Sequence, residues 1–245
     1  MGGTGLFVRG SLGKEHFRRE TTVDMITLYV SCEGYTEEVF IKRLMAKPFR
    51  QKGVHIRPVI VQTSVGPGGR IRRGGGSSYE KIVTDVMTLC RHTDSYVTTM
   101  YDFYKFPLIP DCILPDSCTP TESVRRMEEA FAKDIDRDNF RPNILLYEFE
   151  TLLFSKPSAF ALCGMSPEGV RELVNLRKQF LPEEIDGGEK TAPSKRIKHI
   201  YPGYQKPTDG ATVALDIGLD TMCKECPHFG EWIEWVRTLE GKEHA

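Results

Sequence analysis

The sequence predicts an α/β fold, a parallel sheet flanked by helices with a helical C-terminal region. Three observations predict it. Up to residue 150, short β-rich apolar runs alternate with amphipathic helical patterns, the order that builds a parallel sheet covered by helices. Past residue 155 the β-rich runs stop and helical periodicity continues almost to the C-terminus. Finally, the β-rich runs end in carboxylates, and open α/β sheets bind ligands beyond the carboxyl ends of their strands.

Residues 1–24, "MGGTGLFVRGSLGKEHFRRETTVD", are expected to form a disordered leader. They carry charges but no apolar stretch of the kind a secretory signal needs. Met25, which opens the first apolar run, is an alternative start. "MITLYVSC" (25–32) is a strand. Thr36 is placed to cap the next helix, with Glu37 and Glu38 in its first turn where acids favour the dipole; Val39, Phe40 and Leu44 share one face. "HIRPVIVQ" is a second strand and "YEKIVTDVMTLCR" a helix with Ile82, Val86 and Leu89 in a stripe. "YVTTMYDF" is a third strand ending near Asp102. A proline-rich loop, the helix "TESVRRMEEAFAKDI" and a fourth strand, "NILLYEFE", follow. The α/β unit is thus expected over 25–155. The region 156–245 is expected to pack on it as helices, among them "SPEGVRELVNLRKQF", with Ser166 as cap and Pro167 as first residue, then "SKRIKHIY", "ATVALDIGL" and "HFGEWIEWVRTLE".

The 245 residues are 40% hydrophobic and 27% charged, enough for one large domain or a domain with an appendage. With 33 basic and 34 acidic residues the net charge is -1, so any nucleic-acid surface must be a local basic patch. No apolar run approaches the roughly 18 residues of a membrane span. Seven cysteines without framework spacing point to a reduced, cytoplasmic protein.

Glu33, Asp102, and the pair Glu148 and Glu150 sit at the ends of the first, third and fourth expected strands. Acids at strand ends are common for the plain reason that strand ends are exposed, but here the pattern is joint. In "NILLYEFETLLF" two glutamates interrupt an apolar run, and a strand's period of two puts them on one face. Clustered carboxylates repel unless a cation holds them, and hard divalent ions such as Mg²⁺ or Mn²⁺ take oxygen ligands. Glu37, one turn beyond Glu33, can join them, and Gly34 permits a tight turn between strand and helix. On that reading, neutralising one acid leaves the metal-free fold as stable as before, or slightly more so.

Two basic segments could hold phosphates. "SVGPGGRIRRGGGSSY" has six glycines and three arginines, Arg70, Arg72 and Arg73; it lacks the P-loop pattern, and a bare surface loop is an equal reading. Lys195, Arg196 and Lys198, with Lys206 nearby, form the second, for which a solvated helix face is the alternative. "CKECPH" supplies too few zinc ligands on its own and reads as a helix entry. Trp232 and Trp235 read as core.

"CEGYTEEVF", "VTTMYDFY", "YEFETLLF", "PSKRIKHIYPGY" and "CPHFGEWIE", in that order, resemble the DUF4276 family. That family is Toprim-like, related in architecture to the Toprim domains of topoisomerases, primases and OLD-family nucleases. The resemblance implies that Glu33 is the Toprim glutamate, a metal ligand or general acid/base, and Asp102 the first aspartate of a D-x-D motif. Tyr104 stands where the second aspartate belongs, which weakens a two-metal site unless Glu37, Glu148 or Glu150 substitutes. Lys195 is the corresponding basic catalytic candidate. The implied activity is metal-dependent cleavage of DNA or RNA, in defence against phage or plasmids, beside a separate ATPase. A catalytically degenerate module that binds a partner or nucleic acid, and a small-molecule phosphohydrolase or phosphotransferase, are the alternatives.

Overall fold

A computed structural model describes residues 25–60, 62–65, 71–73, 78–92, 94–185 and 191–242, with backbone alone for 62–65 and 71–73. The chain begins with β1 (Ile26–Cys32) and enters a helical run made of α1 (Tyr35–Phe40), a π-helical segment (Ile41–Met45) and α2 (Ala46–Arg50). Pro48 accounts for the wide turns. Its ring has no N–H to give to the carbonyl four residues back and would clash with it, and the widened segment lies just upstream. One result is that Phe40, Ile41, Leu44 and Met45 all turn inward, a broader face than the expected one, in which Val39 proves half-buried.

β2 (Val54–Ile60) pairs parallel with β1, and β5 (Ser95–Asp102) pairs parallel with the other side of β1. Between them lie β3 (Gln62–Val65), β4 (Ile71–Arg73) and α3 (Tyr79–Cys90). β3 and β4 form an antiparallel ribbon, so the glycine-rich segment, read as a loop, opens on the end of one strand and carries part of its arginine stretch on another. Arg72 and Arg73 lie on β4; Arg70 lies outside the described residues, as does the leader 1–24.

α4 (Pro120–Ile135) then leads to β6 (Phe140–Arg141) and β7 (Ile144–Leu145), which pair parallel with successive stretches of β5. α4 starts on a capping box, Thr119 accepting from the Glu122 backbone N–H and the Glu122 carboxylate accepting from that of Thr119. The described sheet has the order β2-β1-β5-β6, with β7 also on β5. Chain order reverses between β1 and β5, the switch point at which such sheets open a crevice.

The expected fourth strand is far shorter than "NILLYEFE". Asn143 exchanges bonds with Thr99 through its own N–H and carbonyl. After Leu145 the chain leaves the sheet. Tyr147 takes a left-handed conformation (φ 62°) and Phe149–Ser155 form a 3₁₀ helix.

The described remainder is helical: a 3₁₀ helix (Pro157–Cys163), α5 (Pro167–Arg177), a 3₁₀ turn (Pro182–Glu184), α6 (Pro193–Ile200), a π-helical turn (Lys206–Gly210), α7 (Ala211–Ile217), α8 (Leu219–Glu225) and α9 (Pro227–Arg237). Two cores flank the sheet. One joins Leu28, Val30 and Phe40 to Phe149, Phe154, Phe229 and Trp232. The other joins Ile82, Val86 and Val97 to Val124, Phe131 and Ile144. Trp232 belongs to the first as expected, and its indole N–H donates to Thr98 Oγ1 at 2.9 Å. Trp235 is half-buried, under the Arg141 guanidinium. Cys226 enters α9, with its thiol buried beside Ser155. No described helix is long and apolar enough to cross a membrane.

Candidate functional site

Register places Cys32 of β1 beside Met100 of β5, so both strands end at the same edge of the sheet. Glu33 follows β1 directly and Asp102 closes β5. Between Glu33 and Tyr35, Gly34 precedes α1 with extended backbone (φ -160°) that any residue adopts, and it occupies the cap position in place of Thr36. The helix therefore starts two residues earlier than a Thr36 cap would start it, and neither feature depends on a glycine. Glu37, in the first turn, is buried.

Asp102 is 1% exposed and its two oxygens do different work. Oδ1 accepts the Phe149 backbone N–H at 2.8 Å, pinning the start of the 3₁₀ helix to the end of β5. Oδ2 faces two ammonium groups, Lys206 at 3.3 Å and Lys105 at 3.4 Å. Lys105 also reaches Glu33 at 3.1 Å, bridging the ends of the two strands. Lys206 reaches Glu150 Oε2 at 2.9 Å. That oxygen is fully buried and has no hydrogen-bond partner, so the Lys206 contact is one of charge. The other Glu150 oxygen lies 3.5 Å from the Tyr204 hydroxyl.

Four carboxylates thus crowd around two lysines, and their proton affinities show it. Burial, with Asp102 adding repulsion, raises Glu37 to about 7. Burial also raises Glu150 to about 7, with Lys206 opposing and Glu148 and Asp102 adding. Glu33 is raised by burial and by Asp102. Lys206 is raised although burial works against its charge, because Asp102, Glu150 and Glu37 outweigh it.

Three expectations need correcting. Glu148 does not pair with Glu150 across a strand face. The chain has already left the sheet, and the Glu148 carboxylate accepts the Ser194 N–H at 2.6 Å, capping the start of α6. Lys206, expected on the nucleic-acid side, has its ammonium turned into the acids. The ammonium groups that touch the acids are those of Lys206 and Lys105; Lys195 and Arg196 lie instead on α6. There, with Lys198, Glu172 and Leu173, they line a cavity of about 780 Å³ between α5 and α6. Sequence reading missed Lys105. Its signal was the spacing "DFYK", since one 3₁₀ turn after Asp102 (Phe103–Lys105) brings residue i+3 back over residue i.

The family model described as "Domain of unknown function (DUF4276)" matches residues 32–237. The chain belongs to the DUF4276 family. Curated proteins yield no match. Two solved structures of the C-terminal region of the Xanthomonas campestris pv. campestris OLD protein are similar to it, phased with iodine and with mercury. They share 14% and 12% identity, each with a TM-score of 0.35, and each match covers 86% of this chain and 97% of that one.

In this DUF4276 protein the donor set suits a hard cation: carboxylate oxygens from Glu33, Glu37, Asp102 and Glu150, one of them, Glu150 Oε2, buried without a hydrogen bond. Yet among the described residues no three His, Cys, Asp or Glu side chains are arranged to grip one ion. Their chemistry fits a metal, while in the geometry seen here lysine ammonium groups face these carboxylates.

Proposed function

We propose that this DUF4276 protein is a metal-dependent nuclease that cleaves phosphodiester bonds at the carboxylates above β1 and β5. The observation that carries the reading is the gathering of Glu33, Asp102 and Glu150 around the Lys105 and Lys206 ammonium groups, with the Glu37 carboxylate beside them, at the switch point of the sheet. Proteins rarely bury so many acids together without a cationic task, because each costs free energy when left unpaired. Glu33, Asp102 and Glu150 would hold Mg²⁺ or Mn²⁺, with Glu37 beside them. A bound divalent ion supplies charge stabilisation to a phosphoryl oxygen and activation of a water. The chain's own residues orient these groups: Phe149 N–H fixes the Asp102 carboxylate, and Glu33, the least enclosed of the four, would serve either as a ligand of the ion or, in place of that, as the base that takes the proton of the attacking water. The cationic wall of α6, Lys195, Arg196 and Lys198, would hold the nucleic-acid backbone, coupled to the site through Glu148 and Ser194. Arg72 and Arg73, with Arg70, remain candidates for a second backbone contact. A role in defence against phage or plasmids with a separate ATPase is part of the proposal on the motif resemblance alone.

A second reading, a binding module that has lost catalysis, is favoured by Tyr104 in the place of an aspartate and by the absence of a three-ligand group among the described residues. Cleavage of single- and double-stranded DNA and RNA with Mn²⁺ separates the two. The nuclease reading expects metal-dependent cleavage that falls by about 10²-fold or more in Glu33→Gln. Nucleic-acid binding without cleavage would establish the other, and cleavage unaltered by Glu33→Gln would overturn the nuclease reading of these carboxylates.

A further inference from the structure

We propose that the Lys206 ammonium holds the place of a divalent ion between Asp102 and Glu150, so that metal can bind these carboxylates only as Lys206 withdraws. The inference rests on the metal reading above and adds a competitor to it. Lys206 Nζ lies 3.3 Å from Asp102 Oδ2 and 2.9 Å from Glu150 Oε2, at the meeting point of acids from β5 and the 3₁₀ helix. Two cations within a few ångströms of each other in a buried site repel strongly, so lysine and metal exclude one another. With Lys206 in place, no three acids among the described residues are arranged around one ion. The side chain is 25% exposed, so a route to solvent exists. It also starts a π-helical turn (Lys206–Gly210) behind Gln205, whose extended backbone is tied to the Asp209 carboxylate at 2.7 Å, so the base of the side chain is anchored and withdrawal requires only rotation of its stem. Lys105 is a lesser obstacle: its side chain is 52% exposed and swings into water at small cost.

The test is calorimetric titration of Mn²⁺ into the wild type and Lys206→Met, full chain, without nucleic acid. Methionine keeps the length and apolar stem and removes the charge. The expected result is Mn²⁺ binding at least about tenfold tighter in Lys206→Met, with Lys206→Arg no tighter than wild type. A measurement on the wild type alone protects against a poorly folded variant: amine-reactive labelling read by mass spectrometry, in EDTA and at saturating Mn²⁺. Lys206 is expected to label slowly in EDTA and at least several-fold faster with metal. Equal or weaker Mn²⁺ binding by Lys206→Met, or unchanged Lys206 labelling while wild type demonstrably binds Mn²⁺, overturns the exchange and leaves the metal reading intact. Absence of Mn²⁺ binding by either protein overturns the metal reading and the exchange with it.

Discussion

Asp102 has two opposed duties, and its substitution shows why sequence alone misjudges it. Clustered acids suggest that neutralising any one relieves repulsion. In the folded chain Asp102 is the acid with the most partners: a backbone N–H on one oxygen and two ammonium groups on the other. Asp102→Asn keeps the acceptor for Phe149 but turns an amide N–H₂ toward Lys105 and Lys206, donor against donor. The loss of charge-assisted bonds is expected to cost about 1–3 kcal/mol. Glu37 is the reverse case. Burial and the repulsion of Asp102 are what raise it to about 7. Glu37→Gln removes that penalty, and a gain of about 1 kcal/mol would raise Tm by roughly 2–4 °C for a chain of this size. Thermal unfolding in EDTA at pH 8 checks both. A stabilised Asp102→Asn or a destabilised Glu37→Gln would contradict this division of roles.

At the scale of elements, strands were legible where β-rich runs had clean ends: β1 and β5 lie close to where alternation placed them. The failures have local causes. "NILLYEFE" reads as a strand because Ile, Leu, Tyr and Phe favour one, yet the left-handed turn at Tyr147 is fixed by tertiary contacts, with Tyr104 N–H on its carbonyl and Glu148 drawn to α6. A tyrosine at positive φ is held there by its surroundings and costs of order 1–3 kcal/mol. The π-helical segment ahead of Pro48 was foreshadowed by the proline, but its effect on which side chains turn inward was not. In the C-terminal region periodicity found the helices, while nothing in the sequence announced how closely α8 and α9 approach. A Cβ on Gly230 would lie 2.5 Å from the Cys223 carbonyl oxygen, a backbone atom that cannot step aside. Gly230→Ala is therefore expected to force the helices apart and destabilise by about 1–3 kcal/mol. Urea denaturation measures it; a loss below about 0.5 kcal/mol would mean that the helices separate freely.

For the whole molecule, the site's burden of buried acid should appear as a pH dependence of stability. Glu37 and Glu150 are raised to about 7 by burial, and Glu33 and Glu183, also raised by burial, move the same way. In the unfolded chain these groups ionise near 4.3. The folded protein thus binds more protons than the unfolded one between about pH 4.5 and 7, and stability falls as pH rises through that window. His228 reinforces the trend. Burial lowers its proton affinity, but the Glu128 carboxylate at 3.0 Å outweighs this and raises it, so its contribution is also lost on the alkaline side. Carboxylates held low, such as Glu122 and Glu231, act in the opposite sense below about pH 4.5, outside the window. In EDTA, Tm is therefore expected to decline steadily from pH 5.5 to 8. Glu37→Gln combined with Glu150→Gln should remove most of that slope, His228 accounting for much of what remains. Saturating Mn²⁺ should flatten it in the wild type, because a bound cation favours the ionised carboxylates and draws their proton affinities down. Scanning calorimetry across this range, with and without metal, reads all three. A Tm that rises with pH in EDTA would mean that the acids share their charge with the lysines far more evenly than these contacts imply.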